Sequence, residues 1–243
     1  MSDTGLQIGF LIFPRMTHLD FAGPWEVLSR LPGATLHVVA KDLAPVEGSG
    51  LKVLPTVTLE NCPQLDLICV PGGPGHLEAM EDEAVLHFLR EQEIGCRFLT
   101  SVCTGALVLA AAGLLHGFKA TTHWGSHDRL AAFGAEPEKA RVVVDRNRIT
   151  GGGVTAGIDF ALTLVAALEG ETFARQVQLG LEYAPEPPSP APATRMRPAM
   201  RCWKPRARLP PLPRPHGGGG YAGPGAAVPR HAVISRQRLR RCR

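Results

Sequence analysis

Residues 97–115 read RFLTSVCTGALVLAAAGLL, and the pattern of this segment changes in its middle. Arg97–Val102 has the length and the aromatic and β-branched content of a buried strand, whereas Ala106–Leu115 is a helix-length run rich in alanine and leucine. The two are separated by Cys103, Thr104 and Gly105. The segment predicts a strand that turns sharply into a helix with a cysteine at the turn. This is the nucleophile-elbow arrangement, which exposes a reactive side chain above a sheet.

Strands and helices alternate in the same way on both sides of this segment. Further buried strands are predicted at Leu6–Phe13, Leu36–Ala40 and Asp66–Val70, with a hairpin or two short strands at Val142–Asp145 and Arg148–Thr150. Helices are predicted at Pro24–Leu31, Glu81–Glu93, Ala156–Leu168 and Thr172–Tyr183. Strands without polar alternation that are interleaved with helices are typical of a largely parallel sheet covered on both faces. The predicted fold class is α/β.

The ends of three predicted strands carry residues that suit a binding site. Gly72 and Gly73 follow one strand, Cys103 follows the next, and a glycine triplet at 151–153 follows the last. Ligands of such sheets bind beyond the carboxyl ends of the strands, so we expect these segments to meet at one site. The triplet lacks the spacing of a nucleotide-binding motif, and close backbone packing is its favoured use.

Cys103 is the candidate nucleophile. The start of a helix lowers the pKa of a thiol and offers N–H groups that hold negative charge. The alternative is that Cys103 is a buried apolar thiol, which is the better interpretation of Cys62, Cys69 and Cys96.

Two residues are candidates for the proton-transfer partner that a nucleophile needs. Asp20 lies at the carboxyl edge of the sheet among apolar neighbours, which would raise the pKa of its carboxyl. The alternative for Asp20 is a helix N-cap near Pro24. His123, in ATTHW (residues 120–124), follows a short predicted strand, and its alternative is a hydrogen-bonded structural histidine beside Trp124. The residues alone leave both alternatives open.

The composition divides the chain at residue 188. Residues 1–188 hold 13 Lys and Arg against 22 Asp and Glu, a net charge of −9, and are apolar enough for one core. Residues 189–243 hold 13 Lys and Arg and no acid, and are rich in proline, glycine and arginine. We predict that this basic tail is disordered, and its abrupt onset resembles translation in a wrong reading frame. Its charge therefore does not indicate a specific nucleic-acid partner.

The cysteines and the start of the chain indicate the compartment. The six cysteines show no metal-ligand spacing, and the first residues lack the pattern of a signal peptide. No apolar run approaches the roughly 20 residues of a membrane helix. We therefore expect a cytoplasmic protein with reduced thiols, no metal site and no membrane partner.

Five ordered segments resemble the ThiJ/PfpI superfamily of class I glutamine amidotransferase-like proteins, and within it the isonitrile hydratases. The segments are LDFAGPWEVL, DLICVPGGPG, TSVCTGALVLAAAGLLHG, ATTHW and ITGGGVTAGIDFALTLV, in a match that runs from about residue 6 to Pro188. The resemblance implies a flavodoxin-like three-layer sandwich, usually a homodimer, without metal or organic cofactor. It also implies that Cys103 is the nucleophile, Asp20 the active-site carboxyl, Thr104 its neighbouring threonine and His123 the histidine near the thiol.

The activity that this resemblance implies is the hydration of an isonitrile to an N-substituted formamide, for which we expect a thioimidate intermediate. Gly72, Gly73 and His123 are then expected to line the substrate pocket or to hold developing charge. One alternative is another cysteine-dependent activity, an amidase or a glyoxalase-like enzyme. Another is the ligand-sensing domain of a transcriptional regulator that has lost its DNA-binding module. The pairing of Cys103 with Thr104 and Asp20, instead of an adjacent histidine or a glutamate, favours the hydratase.

Overall fold

Strands and helices alternate through residues 5–187, the part of the chain that the computed structural model describes. The strands are β1 (Gln7–Leu11), β2 (Thr35–Ala40), β3 (Val46–Gly48), β4 (Leu51–Val53), β5 (Val57–Thr58), β6 (Leu67–Val70), β7 (Phe98–Val102), β8 (Lys119–Ala120), β9 (Glu136–Pro137), β10 (Val142–Asp145) and β11 (Arg148–Gly151). The helices are α1 (His18–Leu28), α2 (His76–Ala79), α3 (Glu83–Glu93), α4 (Gly105–Ala111), α5 (Ala156–Glu169) and α6 (Glu171–Gly180), with a 3₁₀ helix at Trp124–Phe133. The predicted tail at 189–243 lies outside the described residues, and the domain boundary at 188 stays a prediction.

The central sheet has seven strands in the order β10-β11-β7-β6-β1-β2-β5. The pairings of β1 with β2 and β6, of β7 with β6 and β11, and of β2 with β5 are all parallel. The edge strand β10 is antiparallel and forms a hairpin with β11. The expected largely parallel sheet is therefore confirmed.

Helices cover both faces of this sheet. Alternate residues of β6 show the division: Leu67 and Cys69 pack in the cluster under α1, α5 and α6, and Ile68 and Val70 pack in the cluster under α3 and α4. Each fully buried aliphatic side chain contributes about 1.5–3 kcal/mol through the removal of apolar surface from water. Because every side chain of β6 and β7 is buried, these strands show no polar alternation. The three-layer α/β sandwich is confirmed.

Helix α1 begins earlier than the sequence predicts. The pattern placed Pro24 at the first position of the helix, but α1 begins at His18 and contains Pro24 in its interior. A proline there removes the backbone hydrogen bond of position 24, and α5 packs against the same turn through Gly157, where a Cβ would lie 3.1 Å from Pro24 Cδ. The N-cap position is Thr17. Asp20 is consequently in the first turn of the helix and is not its N-cap.

Candidate active site

The turn between β7 and α4 holds Cys103 in a left-handed backbone conformation, with φ of 57°. This conformation costs a non-glycine residue about 1–2 kcal/mol, and contacts of both backbone polar groups of Cys103 stabilise it. The Cys103 N–H donates to the carbonyl oxygens of Gly151 and Gly152, each at 3.0 Å. The Cys103 carbonyl oxygen accepts a hydrogen bond of 2.8 Å from Thr122 Oγ1. The predicted nucleophile elbow is therefore present.

Asp20 lies fully buried in the first turn of α1. Its Oδ2 accepts a 3.0 Å hydrogen bond from the Gly72 N–H, whereas its Oδ1 is buried without a hydrogen-bond partner among the described residues. Burial raises the pKa of Asp20 from 3.8 to about 7, although the Gly72 N–H and the Cys103 thiol each act to lower it. Asp20 can therefore give up or accept a proton near neutral pH.

The thiol of Cys103 is also buried. Burial is the largest influence on its pKa, and the negative charge of Asp20 adds to it, so that the pKa rises to about 12. Hydrogen bonds from the N–H and the hydroxyl of Thr104 act to lower this pKa. The start of a helix is expected to lower the pKa of this thiol, but desolvation by burial outweighs that influence. Asp20 lies close enough to influence the pKa of this thiol, so a carboxyl that can accept a proton stands next to it.

Gly72 and Gly73 bring the end of β6 against the elbow. A Cβ at position 72 would lie 2.5 Å from Thr104 N and 2.8 Å from Cys103 Cβ, so no side chain fits there. The Gly73 N–H donates to Thr104 Oγ1 at 2.9 Å, as the Gly72 N–H donates to Asp20. Both amides are therefore engaged with side chains of the site, and they orient the carboxyl and the hydroxyl.

His123 stands at the N-cap of the 3₁₀ helix, one residue beyond Thr122. Its Nδ1 accepts a 3.3 Å hydrogen bond from the Gly125 N–H, and its ring lies 5.5 Å from that of Trp124. Trp124 is 64% exposed, so it does not fill the core. One cluster of contacts thus contains Cys103, Asp20, Gly72, Gly73 and Thr104. His123 borders this cluster, and its side-chain hydrogen bond is to the Gly125 N–H and not to the side chains of the cluster.

Thr122 and His76 also contact the residues of this cluster, although no sequence pattern predicted them there. Thr122 is fully buried and holds the elbow carbonyl, and His76 is buried with its Nδ1 2.8 Å from the Gly73 carbonyl oxygen. The ATTHW segment contains Thr122, but no local pattern reveals which carbonyl a threonine hydroxyl reaches across the fold.

Other features of residues 5–187 bear on the kinds of site present. No group of three or more His, Cys, Asp or Glu side chains in this range could hold a metal ion. The cysteines at 62, 69, 96 and 103 are free thiols. Within the same range, every helix is too short or too polar to cross a membrane.

Comparisons with known proteins agree with this geometry. The isonitrile hydratase of Pseudomonas putida is 59% identical over 184 residues, which are 75% of this chain and 81% of the relative. The transcriptional regulator GbdR of Pseudomonas aeruginosa is 34% identical over 173 residues, 68% of this chain but 47% of the regulator. The crystal structure of a ThiJ/PfpI family protein from Pseudomonas syringae is 47% identical, with a TM-score of 0.77 and coverage of 80% of this chain and 82% of that one. The DJ-1/PfpI family model matches residues 7–167, which include the sheet, the elbow and Asp20. The chain therefore belongs to the DJ-1/PfpI family.

Proposed function

We propose that this protein is an isonitrile hydratase, which adds water to R–N≡C and releases the N-substituted formamide. The observation that carries the proposal is the pairing of the Cys103 thiol with a buried carboxyl, Asp20, whose pKa is raised to about 7 and whose Oδ1 has no partner in the described residues. A carboxyl in this state can deliver a proton and take one back at neutral pH. The 59% identity to the Pseudomonas putida enzyme supports the same substrate class.

In the first step, Cys103 passes its proton to Asp20 and the sulfur adds to the terminal carbon of the isonitrile. Asp20 delivers that proton to the same carbon. A C–S bond and a C–H bond form while the C–N triple bond becomes a double bond, so the product is a thioimidate, R–N=CH–S–, on the sulfur of Cys103. The Thr104 N–H, which acts to lower the pKa of the Cys103 thiol, stabilises the thiolate that attacks.

In the second step, water attacks the thioimidate carbon and Asp20, now a carboxylate, accepts a proton from it. The C–S bond breaks, the sulfur leaves and takes the proton from Asp20, and R–N=CH–OH tautomerises to the formamide R–NH–CHO. The sum is one isonitrile and one water giving one formamide, with Cys103 and Asp20 returned to their starting forms. Neither step draws on a metal or an organic cofactor.

The neighbouring residues have positioning roles in this proposal. Gly72 orients the Asp20 carboxyl through Oδ2, which leaves Oδ1 for the reacting groups. Gly73 holds Thr104, because its N–H donates to Thr104 Oγ1 and its carbonyl oxygen accepts from the same hydroxyl, and Thr104 acts to lower the pKa of the Cys103 thiol. His123 and the exposed Trp124 border the site and are proposed to contact the organic group of the substrate.

The proposed assembly is a homodimer in the cytoplasm. A free nucleophilic thiol persists in a reducing compartment, and this supports the location. Light scattering on the purified full chain measures the assembly, and a monomer mass would remove the dimer from the proposal.

The decisive experiment follows formamide release from cyclohexyl isocyanide by proton NMR. The full-length chain and its Cys62→Ser variant, which alters another thiol, are expected to turn over, and Cys103→Ser is expected to be inactive. In D₂O the formyl position should carry deuterium, because its hydrogen arrives through exchangeable groups. Full turnover by Cys103→Ser would refute the mechanism. Conversion of an amide or of methylglyoxal, with no isonitrile turnover, would assign the site to another cysteine chemistry.

A further inference from the structure

Thr122 lies outside the strand and helix that form the elbow, yet it contacts the nucleophilic residue directly. Its side chain is fully buried, and its hydroxyl donates to the Cys103 carbonyl oxygen at 2.8 Å. The preceding residue ties the segment to the sheet, since the Thr121 N–H donates to Thr150 Oγ1 at 2.9 Å. The hydroxyl of Thr122 therefore acts from a fixed support.

The carbonyl that Thr122 holds belongs to the peptide group joining Cys103 to Thr104. A peptide group is planar and trans, so its C=O and its N–H point in opposite directions. The C=O accepts the Thr122 hydrogen bond, and the N–H of the same plane, on Thr104, lies near enough to the Cys103 sulfur to act to lower the pKa of the thiol. Rotation of this plane about its flanking bonds would therefore move the carbonyl and the N–H together.

The left-handed conformation of Cys103 makes this plane dependent on outside contacts. The φ of 57° is disfavoured for a residue with a side chain, and the Cys103 N–H is already held by the carbonyl oxygens of Gly151 and Gly152. The Cys103 carbonyl oxygen accepts its side-chain hydrogen bond from the Thr122 hydroxyl. Without that hydroxyl, a buried carbonyl would lack its partner and the plane would tend to turn toward another donor.

We propose that Thr122 is a positioning residue for the reaction, whose hydroxyl fixes the Cys103–Thr104 peptide plane so that its N–H stays directed at the reacting sulfur. Thr122 acts through this plane and does not touch the substrate. The inference rests on the proposed function in taking Cys103 as the nucleophile. The reactivity of the thiol can be measured without any isonitrile.

The chain offers a matched control next to Thr122. Thr121 is also fully buried, and its hydroxyl also donates to a backbone carbonyl, that of Ala140, at 3.0 Å. Thr121→Val and Thr122→Val each remove one buried hydroxyl while keeping the shape of the side chain. The two variants should lose similar thermal stability, but only Thr122→Val releases the peptide plane at the sulfur.

The experiment measures the alkylation rate of Cys103 by iodoacetamide between pH 6 and pH 9, with mass spectrometry of the peptide that contains this residue. Thr122→Val is expected to alkylate about tenfold more slowly at each pH, which corresponds to a rise of about one unit in the thiol pKa. The alkylation rate of Thr122→Ser, which keeps the hydroxyl, should remain within about threefold of the rate of the unaltered chain. The alkylation rate of Thr121→Val should lie within the same range. In the isonitrile assay, Thr122→Val should lower kcat by about tenfold and leave KM within about twofold.

Two results would overturn the proposal: alkylation of Thr122→Val at the unaltered rate, or equal slowing in Thr121→Val. Should either valine variant fail to fold, the alanine pair Thr122→Ala and Thr121→Ala carries the same comparison. If the chain alkylates as expected but turns over no isonitrile, the positioning role stands and the proposed function fails.

Discussion

Replacing Asp20 by asparagine should change how the stability of the protein depends on pH. Burial raises the pKa of this carboxyl from 3.8 to about 7 in the folded protein, and the side chain is fully buried. The folded state therefore holds the proton of Asp20 more tightly than the unfolded state does. The stability that this proton contributes is complete below about pH 4 and is lost as the pH rises to about 7.

The magnitude follows from the shift of about three pKa units. At about 1.36 kcal/mol per unit, the Asp20 carboxyl lowers the free energy of unfolding by about 4 kcal/mol between about pH 4 and pH 8. An asparagine side chain does not titrate, so the Asp20→Asn variant lacks this loss. The variant also buries an amide where Oδ1 was unpartnered, which adds a cost of about 1–3 kcal/mol that does not depend on pH. The difference in free energy of unfolding between the unaltered chain and Asp20→Asn should thus change by about 4 kcal/mol as the pH rises, and it should level off above about pH 7.

Urea unfolding monitored by tryptophan fluorescence, at intervals of half a pH unit from about pH 4.5 to pH 8.5, gives both stabilities. Asp42→Asn, at an exposed position, is the control for loss of a carboxyl. The reasoning would be refuted if the free energies of unfolding of Asp20→Asn and the unaltered chain differed by an amount that stayed constant within about 1 kcal/mol over this pH range. The raised pKa of Asp20, and with it the acid–base role, would then have to be abandoned.

Two further predictions concern the reaction. The value of kcat/KM for isonitrile hydration should rise about tenfold per pH unit up to about pH 7 and stay level above it, because the reactive Cys103–Asp20 pair shares a single proton. A steady-state pH profile of kcat/KM that fell just above pH 7 would contradict this prediction. Gly72→Ala should lower kcat/KM by at least about a hundredfold and stability by about 1–3 kcal/mol, since its Cβ would lie 2.5 Å from Thr104 N. Gly125→Ala is the control, since its Cβ would lie 3.5 Å from its nearest neighbour. Full turnover by Gly72→Ala would contradict the prediction and show that the backbone of the elbow shifts to make room for the methyl group.

The parts of the fold that the sequence predicted correctly rest on local patterns. β6 and β7 are buried on both faces, so their lack of polar alternation indicated a covered parallel sheet. Cys103 was identified because a strand and a helix meet at it with little room for a loop. The start of α1 was missed, since Pro24 is normally a first-turn residue and its tolerance inside the helix depends on packing against α5.

Local patterns along the chain were enough to predict the α/β class and the strand-to-helix turn at Cys103, because these follow from contacts between residues close in sequence. The folded arrangement was needed to establish that Asp20 is a buried carboxyl with an unpartnered oxygen and not an N-cap, since the Gly72 N–H reaches it from another strand end. It was also needed to show that the Cys103 thiol has a raised pKa and that Thr122 holds its carbonyl. Burial and the direction of a hydrogen bond depend on residues brought together from distant parts of the chain, and no local pattern records them.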